Sequence, residues 1–384
     1  MAIESDTIRR ENVWVEDSRP LPHLPLETIV EILSRVPVKS LLRFRCVSKS
    51  WRSLISDPKF AKAHLSLASA STDYTHHRLL LITSGGPNPY LKSCSVSSIM
   101  HEQSDTTAVD LDYPFDKPRK RVWIGFNGSC NGLVCIMVPG YIMYLWNPAT
   151  RKSMELPLIK MRNNVFSHTC GIGYDDSVDD YKVVVILSAH VNTVIQKRVE
   201  VYTIRTDSWR RIRDCSHSLK WTDSGIFVSG ALHWTSWDSY WIIVSLDLAK
   251  ETYGEVLQPN YDRDCCLDYV LGVLSGCLCV LSQYADCADV WVMKDYGIKE
   301  SWTKLIVIPY LTPTDVAYSA PLCILKNNEV LVGNRVHLVR YYLNDAKFSY
   351  PAIQNSIEPF RAYPYVESLV SLDSDDGIQQ QQQY

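Results

Sequence analysis

The stretch LPLETIVEILSRVPVKSLLRFRCVSKSWRSLI, from Leu24 to Ile55, decides how the chain begins. Half of its 32 residues are hydrophobic, and six basic residues stand beside two acidic ones. Its apolar residues recur at helical spacing, whereas most of the chain after it has the pattern of strands and turns. A helical unit this small has more apolar surface than it can bury alone. The sequence therefore predicts an apolar docking face at the front of a β-rich protein.

Prolines and short polar residues mark where the helices of this unit begin. Pro25 fits the first turn of a helix, because a residue there needs no intrahelical N–H donor. Pro37 ends that helix, since it disfavours helical geometry in the residue before it. Ser48 is predicted to cap a third helix, and Asp57 a fourth helix with Pro58 at its first position. Helices this short are unstable in isolation, so they must pack together or on another surface.

The composition is that of a globular protein. The 384 residues are 46% hydrophobic and 21% charged, with a formal net charge of −3. This charge predicts no nucleic-acid partner, and no apolar run approaches the ~20 residues that span a membrane. The first 18 residues are charged and lack the apolar segment of a secretory signal. We therefore expect a cytoplasmic and/or nuclear protein, no membrane partner, and cysteines that stay reduced.

The chain divides into four regions by pattern. Residues 1–20 are polar and unpatterned, and are predicted to be disordered. Residues 21–67 form the helical unit. Residues 75–372 show strands and turns. Residues 373–384 are acidic and Gln-rich, cannot bury a core, and are predicted to be a disordered tail.

A repeat of 44 to 49 residues organises the third region. Polar turns followed by a large aromatic residue end at Trp209, Tyr253, Trp302 and Phe348. Two apolar runs precede each turn, and three strands every ~40–50 residues are typical of propeller blades. A lone blade cannot bury both of its faces, so the blades must close into a ring. We predict an all-β propeller of about six blades, with residues 363–372 as a strand that completes the first blade; the periodicity disfavours an open sandwich.

The helical unit resembles an F-box. From the pattern alone, its apolar face fits docking on the rest of the chain as well as docking on a partner. The resemblance favours the partner, and it rests on Leu24-Pro25, on "RVPVKSLLRFRCVSKSW" from Arg35 to Trp51, and on "LISDPKF" from Leu54 to Phe60. It implies a three-helix module that binds the Skp-family adaptor of a cullin–RING ubiquitin ligase, and through it the cullin and the RING subunit.

The resemblance also implies which residues bind the adaptor. Two of them, Val47 and Trp51, belong to the motif but are expected to serve mainly the internal core. The full set is Leu24, Pro25, Ile29, Ile32, Leu33, Val38, Leu41, Leu42, Phe44, Val47 and Trp51.

The strand region resembles the F-box-associated domain of plant F-box proteins, a kelch-like type found also in S-locus F-box proteins. The motifs are "GSCNGLVC" (Gly128 to Cys135), "LWNPATRK" (Leu145 to Lys152), "GALHW" (Gly230 to Trp234) and "YVESLVSL". The resemblance spans about residues 75 to 372. It implies that the chain is the substrate-recognition subunit of an SCF-type ligase.

No motif predicts a catalytic, cofactor-binding or metal-binding residue. In "NGSCNG" the two Asn-Gly steps are typical of hairpin turns, and the motif lacks the Gly-x-Ser-x-Gly elbow of a nucleophile. His233 and Trp234 are predicted to lie in a blade core. The acidic loop from Asp175 to Asp180 lacks the glycine and terminal glutamate of a calcium loop, so we predict a solvated turn.

Two loops have the composition of a binding surface. They contribute Trp237, Tyr240, Tyr261 and Arg263, which are residue types enriched at binding hot spots. We predict that these side chains bind a target protein, whose identity the sequence does not give. Two alternatives remain open: a binding module for a sugar or small ligand, and a propeller glycosidase, which would need paired carboxylates in the central channel.

Overall fold

The computed structural model describes residues 24–83, 90–100, 106–115, 123–159, 165–191, 194–220, 224–237, 240–310, 318–319, 321–324, 329–334, 337–356 and 359–372. The predicted disordered segments, 1–20 and 373–384, lie outside the described residues.

The chain begins with four consecutive helices. Ser48 caps the third by accepting a hydrogen bond from the Trp51 backbone N–H at 3.1 Å, and Asp57 caps the fourth through the Lys59 N–H at 2.8 Å. The fourth helix extends the expected three-helix module and ends three residues beyond the predicted limit of 67. The helices are α1 (Leu26–Leu33), α2 (Val38–Phe44), α3 (Lys49–Ser56) and α4 (Pro58–Ala70).

Six four-stranded antiparallel sheets follow and form the six blades of a propeller. A short helix, α5 (Val96–Met100), interrupts the first blade. From the inner to the outer strand, blade 1 consists of β24 (Phe360–Val366), β1 (His77–Thr83), β2 (Leu91–Ser95) and β3 (Val109–Asp110). Blade 2 consists of β4 (Gly125–Cys130), β5 (Leu133–Val138), β6 (Ile142–Asn147) and β7 (Lys152–Glu155). Blade 3 consists of β8 (Val165–Asp175), β9 (Asp180–Val191), β10 (Val194–Thr203) and β11 (Ser208–Ile212).

The other three blades repeat this order. Blade 4 consists of β12 (Ile226–Val228), β13 (Ala231–Trp237), β14 (Trp241–Asp247) and β15 (Thr252–Val256). Blade 5 consists of β16 (Asp268–Leu274), β17 (Cys277–Gln283), β18 (Cys287–Met293) and β19 (Trp302–Pro309). Blade 6 consists of β20 (Pro321–Ile324), β21 (Glu329–Gly333), β22 (Leu338–Tyr342) and β23 (Lys347–Ser349). The predicted count of about six blades is confirmed.

Strand β24 closes the ring by pairing with β1 from Phe360↔Thr83 to Val366↔His77. The chain's last strand thus becomes the inner strand of its first blade, as predicted. Its predicted limits, residues 363–372, are wrong, because the strand ends at Val366. Residues 367–372 leave the sheet, and the Glu367 N–H donates instead to the carbonyl of His76 at 2.9 Å.

The recurring aromatic residues join neighbouring blades. The indole N–H of Trp209, on β11, donates to the carbonyl of Pro157 just after β7, at 2.5 Å. The indole of Trp302, on β19, makes the same bond to the carbonyl of Leu257 just after β15, at 2.8 Å. In both cases the outer strand of one blade is bonded to the segment that leaves the outer strand of the preceding blade. Tyr253 and Phe348 make no such bond and instead pack against the apolar clusters shared with the preceding blade.

The two Asn-Gly steps differ in structure. Asn131 and Gly132 both have positive φ, 52° and 85°, and form the predicted hairpin turn between β4 and β5. The prediction of a hairpin at Asn127-Gly128 is wrong. These two residues form a bulge inside β4, where the register shifts between Phe126 and Ser129.

Candidate adaptor-binding and target-binding surfaces

The ring has two distinct ends. Because paired strands are antiparallel, the turn joining the first strand of a blade to its second lies at one end, and the turn joining the second to the third lies at the other. The lower face is the end with the β8–β9 turn, which includes Asp179. The upper face is the end with the β13–β14 turn, which includes Tyr240, and with the starts of the inner strands.

The helical module lies on the lower face. Lys62 of α4 pairs with Asp179, with 2.6 Å between Nζ and Oδ2. Hydrogen bonds from Lys62, and then from Tyr174, lower the pKa of the Asp179 carboxyl. His64 of α4 is fully buried, and its ring lies 5.2 Å from that of His76. Residues 176–179 of the acidic loop are exposed, as predicted for a solvated turn, and Asp179 also contacts the module. The flanking Asp175 and Asp180 are instead buried on β8 and β9.

Five large apolar side chains of the module are left exposed. Leu67, on α4, exposes 45% of its surface, and the other four, Leu24, Leu26, Ile32 and Val47, each expose at least half. Three of these four were predicted to bind the adaptor, but the expectation that Val47 serves mainly the internal core is wrong, because its side chain is 62% exposed. Leu26 was missed, because its helical spacing suggests the packed stripe of α1, whereas its place at the first position of the helix leaves it open.

The remaining predicted adaptor residues lie deeper in the module. Leu33, Val38 and Leu41 expose 1% or less of their surface. In the free chain these three are packed inside the module and stabilise it from within. Pro25 is exposed, whereas Ile29, Leu42, Phe44 and Trp51 are half-buried. Of these, Phe44 and Trp51 pack edge to face at 5.7 Å, which agrees with the expected core role of Trp51.

The two loops predicted to bind a target share the upper face. Trp237 and Tyr240 lie at the β13–β14 turn of blade 4, and Tyr261 and Arg263 lie in the connection to blade 5. Rings from both loops meet Tyr269, near the start of β16, with centroids 6.1 Å from Trp237 and 5.3 Å from Tyr261. The structure therefore brings Trp237 and Tyr261 together through Tyr269 at the junction of blades 4 and 5.

The four residues differ in how available they are. Trp237 and Tyr240 expose 48% and 66% of their surface. Tyr261 is half-buried in an aromatic cluster, and this burial raises the pKa of its phenol. Arg263 is exposed but engaged, with its guanidinium 3.3 Å from Asp286 and over the ring of Tyr284. Trp237 and Tyr240 are thus the stronger candidates for contact, and Tyr261 supports them.

A central cavity of about 1670 Å³ runs through the ring. The inner strands line it, and the segment 69–72 at the end of α4 lines its lower part. Two exposed aromatic residues line its upper part, Trp123 just before β4 and Phe166 at the start of β8. Neither residue was predicted from the sequence to line a cavity. The one feature that could have indicated it is that each residue lies at or just before the start of an inner strand.

Among the described residues that line the cavity, the pair of carboxyl groups used by a glycosidase is absent. Such an enzyme uses two carboxyl groups roughly 5–9.5 Å apart. Among the described lining residues the only carboxylate is that of Asp268, which pairs with Lys220 at 2.9 Å. His233 and Trp234 are fully buried, as predicted for a blade core.

The described ranges contain neither a metal-binding cluster nor a membrane-spanning helix. No group of three or more His, Cys, Asp or Glu side chains there is placed to hold a metal ion. No helix in the part of the chain that the structure describes is long and apolar enough to cross a membrane.

The helical module with its exposed apolar side chains thus lies on one face of the ring, and the exposed Trp237 and Tyr240 lie on the other. Residues 21–62 match the F-box domain, and residues 88–372 match the F-box associated beta propeller domain. The chain belongs to the family of F-box proteins with an F-box associated beta propeller domain.

Curated relatives are similar over most of their length. The chain is 36% identical to the F-box/kelch-repeat protein At3g23880 of Arabidopsis thaliana, over 91% of this chain and 96% of that protein. It is 28% identical to the F-box protein CPR1 of the same plant, over 90% of this chain and 88% of that protein. Among solved structures, TolB from Acinetobacter baumannii superposes with a TM-score of 0.43 at 12% identity, over 77% of this chain and 68% of that chain. The SapL1 lectin superposes with a TM-score of 0.40 at 11% identity, over 75% of this chain and 100% of the lectin chain. These last two scores carry no argument about function.

Proposed function

We propose that the chain is the substrate-recognition subunit of an SCF-type cullin–RING ubiquitin ligase. The F-box, the propeller and the F-box relatives support a substrate-receptor role in general. In the finer proposal the exposed residues of the F-box bind a Skp-family adaptor, and the upper face of the propeller binds the target protein. The observation that carries it is the placement of two exposed apolar surfaces on opposite faces of one ring.

In this role the chain performs no bond chemistry. It binds the target at one end and the ligase at the other, so the target's lysines meet the ubiquitin-carrying enzyme at a high effective concentration. The proposal locates the chain in the cytoplasm and/or the nucleus. The adaptor would cover Leu24, Leu26, Ile32 and Val47, whose burial would contribute most of the binding free energy.

Alanine at these four positions is expected to weaken adaptor binding. Exposed side chains can be shortened with little effect on the fold, whereas central interface anchors cost about 2–4 kcal/mol when truncated, or roughly 30- to 1000-fold in Kd. The measurement is calorimetric titration of a purified Skp-family adaptor into the variant Leu24→Ala, Leu26→Ala, Ile32→Ala, Val47→Ala.

The matched control removes exposed apolar surface elsewhere. Leu305 and Val307 lie on β19, the outer strand of blade 5, and are 41% and 37% exposed. The double variant Leu305→Ala, Val307→Ala should bind the adaptor as the natural chain does. If the quadruple variant keeps its circular dichroism spectrum and also keeps full affinity, the assignment of the adaptor surface is wrong.

A further inference from the structure

We propose that residues 367–372, which we call the strap, are a positioning segment that fixes the orientation of the F-box on the propeller. This inference rests on the proposed function, because orientation matters only if the two ends bind partners. The strap directly follows β24, the strand that closes the ring. It is bonded to blade 2 on one side and packs into the F-box on the other.

Asn147, at the end of β6, holds the strap on the ring. Its side-chain N–H groups donate to the carbonyl of Ser368 at 3.1 Å and to that of Val370 at 2.9 Å. Its side-chain oxygen accepts from the backbone N–H groups of Ala149 and Thr150 at 3.0 and 3.3 Å. Asn147 is fully buried, so both ends of its amide are satisfied inside the protein. This residue is therefore a fixed anchor.

Alternate strap residues face opposite sides. Val370 and Leu372 pack against the core of blades 2 and 3, whereas Leu369 packs against the F-box core around Leu33 and Phe60. This alternation is that of an extended chain, in which successive side chains point in opposite directions. One short segment thus contacts both bodies at once.

The ring is shaped to receive the strap. Gly132, in the β4–β5 turn, has a φ of +85°, and a Cβ at this position would lie 2.6 Å from the Cβ of Ser368. At the start of the strap, Glu367 lies 3.6 Å from Arg78 of β1. Burial raises the pKa of Glu367, and Arg78 and then Lys39 of α2 act in the opposite direction. The carboxyl group of Glu367 is thus paired with Arg78 of the ring at the start of the strap.

The F-box has other contacts with the ring. The pair Lys62–Asp179 is more than half exposed, so solvent screens it and it restrains the F-box little. The link from α4 to β1, residues 71–76, is bonded to blade 6 at Tyr74, whose buried phenol donates to the carbonyl of Ile324 and accepts from its N–H. These bonds hold the link on the ring, whereas Leu369 of the strap packs on the F-box core itself. We therefore assign to the strap the restraint on the F-box core.

A fixed angle has a consequence for transfer. The target is bound on the upper face and the ligase on the F-box, so the strap sets the position of target lysines relative to the ubiquitin-carrying enzyme. A loosened F-box would spread those lysines over a larger volume and lower their effective concentration. Binding of the adaptor and of the target would each persist.

The test compares two truncations of the full chain. One ends at Val366, which keeps β24 and the closed ring but removes the strap. The control ends at Leu372, which keeps the strap and removes only residues 373–384. Spin labels on the exposed Cys46 of the F-box and Cys265 of the upper connection report the distance between the bodies, with Cys266→Ser and Cys277→Ser to prevent labelling of half-buried thiols.

The chain that ends at Leu372 should give one narrow distance distribution. The chain that ends at Val366 should give a distribution at least twice as broad, with adaptor affinity within about threefold of the control. Equal widths in the two chains would overturn the proposal. So would a large loss of adaptor affinity in the shorter chain, because the strap would then support F-box folding and not orientation.

A point variant keeps the test valid if the shorter chain does not fold. Asn147→Ala removes the anchor while leaving every strap residue in place, and Asn344→Ala, at an exposed position between β22 and β23, is the matched control. Only Asn147→Ala should broaden the distribution, and an unchanged width would overturn the proposal. The label distances do not depend on ubiquitin transfer, so failure of the proposed function would leave this result interpretable.

Discussion

Deletion of residues 360–384 is expected to open the propeller and abolish its cooperative unfolding. The deletion removes β24, which pairs with β1 along seven residues and carries the buried Phe360 and Tyr365. Without it, β1 becomes an exposed sheet edge, and the apolar clusters on both sides of blade 1 are open to water. Calorimetry should show no single sharp transition, and most of the protein should be insoluble.

The control for this deletion is the chain that ends at Leu372, which retains β24 and the strap. It should melt as the full chain does. A chain that ends at Pro359 and still shows the melting transition of the full chain would contradict ring closure by β24. Comparison of the chains that end at Pro359 and at Val366 tests closure of the ring. Comparison of the chains that end at Val366 and at Leu372 tests orientation of the F-box.

Replacement of Lys182 by methionine is expected to destabilise the ring by about 3–5 kcal/mol. Lys182, on β9, is buried, and its ammonium lies 2.8 Å from Asp175 and 3.0 Å from Glu251 of blade 4. It also donates to the carbonyl of Leu248 at 2.6 Å. Methionine keeps the apolar stem and removes the charge, so it leaves the buried Asp175 carboxylate without its cation. Urea unfolding of the two proteins measures the difference.

The pH dependence of this difference follows from Asp175. Burial raises the pKa of this carboxyl, but Lys182 and then Ser177 outweigh burial, so the net pKa is lowered. A lowered carboxyl pKa gives stability that is present above the unfolded-state pKa of about 3.9 and is lost as pH falls. Without Lys182, burial dominates and the protonated form is favoured. The difference in free energy of unfolding between the natural chain and Lys182→Met should therefore be largest near neutral pH and become smaller as the pH falls toward 4.

The control for Lys182 is Lys62→Met, which breaks the exposed pair with Asp179. Such exposed pairs contribute about 0–1 kcal/mol, so this variant should lose little stability. A loss for Lys182→Met no larger than that for Lys62→Met, at every pH, would show that blades 3 and 4 do not depend on the buried charges.

Local signals in the sequence were sufficient for the helices and the blade repeat. Ser48 and Asp57 mark helix starts through hydrogen bonds to backbone N–H groups in the same turn, whereas Pro25 marks one without a side-chain cap. The recurring Trp209 and Trp302 mark blades 3 and 5, because each indole bonds the preceding blade in the same way. Signals of this kind depend on neighbours in sequence or on a repeat, so one chain is enough to detect them.

Contacts between distant residues were not predictable in the same way. Leu33 and Leu41 have the same apolar character as Ile32 and Leu26, and only the packed module shows which pair is buried. Leu369 packs on that module from the far end of the chain, and no pattern near it indicates the contact. Tyr261 has the composition of a hot-spot residue, but its neighbours from blades 4 and 5 place it in a cluster core.

The central claim is that one chain joins an adaptor and a target through opposite ends, and a quantitative capture experiment tests it most directly. Tagged full chain, the quadruple F-box variant, and the variant Trp237→Ala, Tyr240→Ala would be expressed in plant cells with the proteasome inhibited. Mass spectrometry then measures each bound protein and its ubiquitinated fraction. We predict that at least one protein binds both the full chain and the quadruple F-box variant. The amount of this protein bound by the variant Trp237→Ala, Tyr240→Ala should be lower by about tenfold or more. It should be ubiquitinated only when the full chain is expressed. If no bound protein requires both surfaces for its ubiquitination, the account is contradicted.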